Sequence, residues 1–131
     1  MTSKPTAEVD KDAVKARLVT AVSMHRAGRL VEAEAAYRAI LEQDPRNIDA
    51  QHLLGVTLYQ SGRPAEAIDV VRRVLALKPK AAPLHNTMGL AYQATGDVAT
   101  AEWSFRQALV FSPDYAEALV NLGNLLREKG D

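Results

Sequence analysis

Apolar residues recur along most of the chain at the spacing of amphipathic α-helices, for example Leu119, Leu122 and Leu126 near its end. Glycines and prolines separate these stretches and mark helix ends. The pattern predicts paired helices, with first helices near 14–27, 48–61, 82–95 and 116–129 and second helices near 30–43, 64–77 and 98–111. Residues 1–13 lack the periodicity and are predicted to form a disordered N-terminal tail.

The pattern itself repeats every 34 residues. One column of the repeat holds glycines that lie between paired helices, where a positive φ is needed: Gly28, Gly62, Gly96 and Gly130. A second column holds prolines that end the second helices: Pro45, Pro79 and Pro113. A third holds small residues that allow close helix approach: Ala21, Gly55, Gly89 and Gly123. These columns predict one domain over 14–131, divided into repeats 14–47, 48–81 and 82–115 and a half-repeat 116–131.

Three stretches carry a family resemblance: MHRAGRLVEAEAAYRAILEQDP, LYQSGRPAEAIDVVRRVLALKP and AYQATGDVATAEWSFRQALVFSP. With their 34-residue period they resemble the tetratricopeptide repeat family. The resemblance implies an all-α, right-handed α-solenoid of seven helices arranged as helix-turn-helix repeats. It also implies a protein–protein interaction scaffold without catalytic activity of its own.

In this family the first helix of each repeat lines a concave groove. The resemblance therefore assigns groove positions to residues of all four first helices: Leu18, Val22, His52, Val56, Tyr59, Asn86, Leu90, Gln93, Asn121 and Asn124. Their apolar members favour an amphipathic partner helix, whereas their amides could satisfy the backbone of an extended peptide. Both ligands stay open on the sequence alone.

A second resemblance concerns the last stretch, ALVNLGNLLREKGD. It is similar to the repeats that precede the catalytic domain of O-linked N-acetylglucosamine transferases and some bacterial sulfotransferases. One alternative function is therefore a substrate-recruiting N-terminal arm of such a transferase. In those repeats an asparagine ladder lines the groove, and only Asn121 occupies that column here.

The sequence stops between the two helices of a fourth repeat, at Asp131. Two interpretations follow from the apolar stripe of Leu119, Leu122 and Leu126, which a further helix would normally cover. The chain is an excised piece of a longer protein, or the stripe pairs with a second copy in a homo-oligomer.

Composition restricts the remaining function classes. Basic and acidic side chains balance at 16 each, which argues against nucleic acid as a partner. The absence of cysteine removes thiolate chemistry and thiolate metal sites, and His25, His52 and His85 occupy different columns, so no metal site or cofactor is expected. No apolar run approaches the roughly 20 residues of a membrane span, and no signal peptide begins the chain, so we expect no membrane association and a cytoplasmic location.

Overall fold

The computed structural model describes residues 9–130, which form seven α-helices and no strand. The helices are α1 Lys11–Arg26, α2 Leu30–Gln43, α3 Ile48–Gln60, α4 Pro64–Leu77, α5 Ala82–Thr95, α6 Val98–Phe111 and α7 Ala116–Glu128. Each helix packs against the next one in sequence, so the helix pairs stack in one direction as an α-solenoid. The all-α repeat fold predicted from the sequence is confirmed.

The turn between the two helices of a pair has the same geometry each time. Gly28, Gly62 and Gly96 adopt φ values of +79°, +78° and +88°, which only glycine reaches without strain. The amide of the following residue then donates to a carbonyl of the preceding helix, as Arg63 N does to Leu58 O at 2.9 Å. Because this closure recurs, each second helix leaves its turn at a similar angle.

Close packing within a pair depends on the small-residue column. A Cβ atom built on Gly55 would lie 2.5 Å from Val71 Cγ2, and one on Gly89 would lie 2.4 Å from Phe105 Cε1. Val71 and Phe105 are fully buried in these contacts. The glycines therefore admit a large side chain of the second helix directly against the backbone of the first.

The chain becomes helical earlier than the sequence pattern predicted. α1 begins at Lys11 because the Asp10 carboxylate accepts hydrogen bonds from the amides of Asp12 and Ala13, both at 3.1 Å. Val14 then packs into the core with 5% of its surface exposed. The expected disordered tail over 1–13 is therefore wrong for residues 11–13, and its residues 1–8 lie outside the described part.

The C-terminal helix exposes a narrower apolar stripe than its leucine spacing predicted. Leu122 is only 9% exposed and packs against Ala101 and Phe105, whereas Leu119 is 50% exposed. Leu122 lies about 60° around the helix axis from Leu119, on the side that packs against α6, so it belongs to the core and not to the open face. Beside Leu119, a Cβ on Gly123 would meet nothing within 4 Å, in contrast to Gly55 and Gly89.

Candidate peptide-binding groove

The stack curves toward its first helices. Among the described residues, α3 contacts α5 and α5 contacts α7, whereas α2, α4 and α6 make at most marginal contact with one another. From α3 to α7, successive first helices are therefore closer together than successive second helices. This difference makes the face of α1, α3, α5 and α7 the concave one.

Four adjoining cavities run along this face, and we call them together the groove. In order from α1 to α7 they enclose about 370, 370, 220 and 430 Å³. Val22 lines the first and second cavities, Val56 the second and third, and Leu90 the third and fourth. These three residues occupy one column of the repeat, so a single apolar column forms a continuous floor.

Most of the residues assigned to the groove from the sequence line these cavities. The structure brings eight of them together: Leu18, Val22, His52, Val56, Tyr59, Asn86, Leu90 and Asn121. Gln93 and Asn124 line none of the four. The exposure also varies, since Asn86 is only 3% exposed while Asn124 is open to solvent.

Residues outside the predicted set also line the groove, including Arg26, Pro83, Tyr115 and Glu117. Glu117 lies in the column of Pro83 and Arg26 in that of Gln60, and both of these column partners also line the groove, so the repeat register could have identified Glu117 and Arg26. Tyr115 is the N-cap residue of α7, outside the helical pattern. Its pKa is raised by burial and by the neighbouring Glu117 carboxylate.

Side-chain hydrogen bonds connect neighbouring first helices. Within residues 9–130, four of them join partners 35 positions apart: His25–Gln60, His52–Thr87, Asn86–Asn121 and Gln93–Glu128. The partners lie on α1 and α3, α3 and α5, or α5 and α7. We call these bonds the rungs, and they cross-link the helices that line the groove.

The rung at His52 determines which nitrogen of its ring carries a proton. Thr87 Oγ1 donates to Pro83 O at 3.0 Å, so it accepts from His52 Nε2 at 2.9 Å. Burial lowers the pKa of His52, and Asp49 only partly opposes that change. His52 is therefore a neutral imidazole near pH 7, with its proton on Nε2.

His25 is held in a similar way between two helix pairs. Its Nε2 faces Gln60 Oε1 at 2.6 Å and its Nδ1 faces the Tyr37 hydroxyl at 3.1 Å. An amide oxygen can only accept, so Nε2 donates to Gln60, while Nδ1 forms a hydrogen bond with the Tyr37 hydroxyl. Both ring nitrogens are used for packing between α1, α2 and α3.

Two other kinds of site are absent from the described part of the chain. No group of three or more histidine or acidic side chains there is arranged to hold a metal ion. Over the same residues, no helix combines the length and apolar character needed to span a membrane.

Comparison with known families identifies the repeat. Two family models, both described as tetratricopeptide repeat, match residues 24–91 and 86–131. Between them they extend from the end of α1 to the last residue. A comparison with curated protein sequences finds no significant match.

Solved structures with the same fold include proteins of several kinds. A mutant O-GlcNAc transferase from Thermobaculum terrenum is 32% identical over 96% of this chain and 23% of its own, with a TM-score of 0.86. The first TPR of Spaghetti (RPAP3) bound to the HSP90 peptide SRMEEVD is 18% identical over 94% of this chain and 98% of its own, with a TM-score of 0.84. MamA from Desulfovibrio magneticus is 20% identical over 93% of this chain and 69% of its own, with a TM-score of 0.81.

Proposed function

Because this chain belongs to the tetratricopeptide repeat family, we propose that it is a protein-interaction scaffold that binds a peptide segment or partner helix along the groove. The observation that carries the proposal is the continuity of the groove. Val22, Val56 and Leu90 form one apolar floor that is shared by neighbouring cavities. Concave apolar surfaces with a few polar groups are typical binding sites.

The rungs support a ligand that binds mainly through apolar side chains. Asn121 Nδ2 already donates to Asn86 Oδ1 at 2.9 Å, and Gln93 Nε2 to Glu128 Oε2 at 3.1 Å. Amides used in this way are less available to a peptide backbone. The apolar floor then supplies most of the binding free energy, and the remaining polar groups supply orientation.

The similar structures support a peptide as ligand in general terms. The RPAP3 domain has the same fold and is bound to a peptide, which supports a peptide as the kind of ligand that this fold binds. At 18% identity it does not carry that peptide over to this chain.

The test compares two valine substitutions of the same kind. Val56→Glu places a charge on the groove floor, while Val31→Glu places it on α2 outside the groove, where Val31 is 84% exposed. Proteins captured from the source cells should be lost with Val56→Glu and retained with Val31→Glu. Overlapping peptides of each captured protein would then locate the bound segment.

Two results would overturn the proposal. One is a partner that binds the wild type and the Val56→Glu variant equally well. The other is a Val56→Glu variant that is partly unfolded but whose folded fraction binds the partner as tightly as the wild type does. Circular dichroism on both variants separates a binding defect from unfolding.

A second candidate function is a substrate-recruiting arm of a larger transferase. The 32% identity to the O-GlcNAc transferase favours it, and this chain corresponds to only 23% of that protein. The reading frame beyond codon 131 tests it directly. A downstream catalytic domain supports the recruiting role, and an immediate stop codon overturns it.

A further inference from the structure

Charge changes sign along the groove, on both of its edges. One edge is formed by the column near the start of the first helices: Lys15, Asp49, Pro83 and Glu117. The other is formed by the column at their ends: Arg26, Gln60, Ala94 and Glu128. Both columns begin with a basic residue on α1 and end with an acidic residue on α7.

The two edges lie on either side of the floor. Positions 15 and 26 are separated along α1 by about 16 Å, from a rise of about 1.5 Å per residue. Arg26 lines the two cavities nearest α1, and Glu117 lines the two nearest α7. A ligand on the floor therefore lies between a basic end and an acidic end.

The four terminal charges are not neutralised within the described chain. Lys15, Arg26, Glu117 and Glu128 are exposed, and none forms an ion pair with another residue of 9–130. Glu117 only accepts a 3.3 Å bond from the Tyr115 hydroxyl, and Glu128 only accepts from Gln93.

Charged residues of the second helices behave differently. Ion pairs there connect close neighbours, such as Arg38 with Glu34 at 3.0 Å and Arg106 with Glu102 at 3.0 Å. Arg63 adds a 2.6 Å contact to Glu34 from the next pair. The convex side thus satisfies much of its charge internally, whereas the groove presents its charge outward.

One basic residue of α7 opposes the trend. Arg127 shares its column with His25, Tyr59 and Gln93, and it lies beside Glu128. Two carboxylates against one guanidinium still leave α7 acidic. On α1, both edge positions are basic, Lys15 and Arg26, and α1 contributes no acidic residue to either edge column.

We propose that the groove selects segments by charge order: acidic side chains over α1, apolar side chains on the floor and basic side chains over α7. The inference rests on the proposed function and adds the chemistry of its ligand. Complementary charges at the edge of an interface chiefly affect specificity and association rate. A segment of the same composition in the opposite order places like charges together at both ends.

The test uses a phage-displayed library of random peptides of about 12 residues. The selection is run on the wild type and on a charge-mirrored variant with Lys15→Glu, Arg26→Glu, Glu117→Lys and Glu128→Lys. Wild-type peptides should carry an acidic and a basic end in one prevailing order, and the mirrored variant should enrich the opposite order. Exposed ion pairs contribute a few-fold each, so a selected peptide should bind the mirrored variant roughly tenfold more weakly at low salt.

A second swap serves as the matched control. Arg29 and Glu32 pair at 3.4 Å outside the groove, with side chains 62% and 52% exposed. The Arg29→Glu, Glu32→Lys variant also keeps the net charge unchanged, and it should select the wild-type order.

The outcomes separate this inference from the proposed function. Enrichment without charge order, or with one order on both proteins, overturns the inference while groove binding stands. Failure to enrich any peptide, or enriched peptides that bind Val56→Glu as well as the wild type, overturns the proposed function and the inference with it.

Discussion

The same substitution in one column should change stability in opposite directions. Gly89→Ala adds a methyl group where a Cβ would lie 2.4, 2.5 and 2.8 Å from three atoms of the Phe105 ring. Gly123→Ala adds it at the equivalent place in α7, where nothing lies within 4 Å. Gly89→Ala should destabilise the protein, and Gly123→Ala should stabilise it.

The magnitudes follow from two opposing effects. Alanine is favoured over glycine inside a helix by about 1 kcal/mol, and this gain applies at both positions. Overpacking costs about 1–3 kcal/mol, and the upper end applies at Gly89 because the Phe105 ring is rigid and fully buried. The net change is a loss of about 2 kcal/mol for Gly89→Ala and a gain of about 0.5–1 kcal/mol for Gly123→Ala.

Urea unfolding followed by circular dichroism measures both changes in the free energy of unfolding. The melting temperature should fall by roughly 5–10 °C for Gly89→Ala and rise by a few degrees for Gly123→Ala. Phe105→Leu in the Gly89→Ala background should recover part of the loss, because the smaller side chain can yield. A Gly89→Ala protein as stable as the wild type would refute the packing argument, as would a double variant whose loss equals the sum of the single losses.

Three further predictions concern titration and the C-terminal helix. The pKa of His52 is lowered in the folded protein, so its contribution to stability is present above about pH 6.5 and is lost as the pH falls below that value. When the pH is lowered from about 7.5 to 5.5, the free energy of unfolding should therefore fall less for His52→Gln than for the wild type. Burial acts to raise the pKa of Glu34, but hydrogen bonds from two arginines outweigh it and lower the pKa, so the stability gap between wild type and Glu34→Gln in urea titrations should shrink as the pH falls below about 4.5. Leu122→Glu should unfold α7 because Leu122 is only 9% exposed, whereas Leu119→Glu should change the free energy of unfolding by less than about 0.5 kcal/mol. If copies of the chain associate through α7, Leu119→Glu should abolish the concentration dependence of the size measured by sedimentation.

The helix bounds were predictable where glycine and proline fix both ends. α2, α4, α5 and α6 begin and end at the residues predicted from the pattern, since no other residue type replaces the turn glycine without strain. α1 was predicted to begin late because its start depends on the cap at Asp10, which lies outside the periodic region. Leu122 was assigned to the wrong face because leucine spacing alone does not tell which side of a helix its neighbours cover.

The groove was predictable as a surface but not in its hydrogen bonds. Family columns placed Val22, Val56 and Leu90 on the floor. The rungs join residues 35 apart, whereas the sequence repeats at 34, so alignment of the columns does not pair Asn86 with Asn121. This offset arises from the way neighbouring helices pack, and it becomes visible only in three dimensions.

The recurring glycine turn has a consequence for how such a chain can change in length. Because Gly28, Gly62 and Gly96 close the turn in the middle of each unit alike, adding or removing a whole 34-residue unit leaves every such turn next to the helix that it closes. Gene duplication or unequal recombination in this register creates no new junction and lengthens or shortens the solenoid by one helix pair. A cut at any other spacing separates a glycine from the helix that it must close.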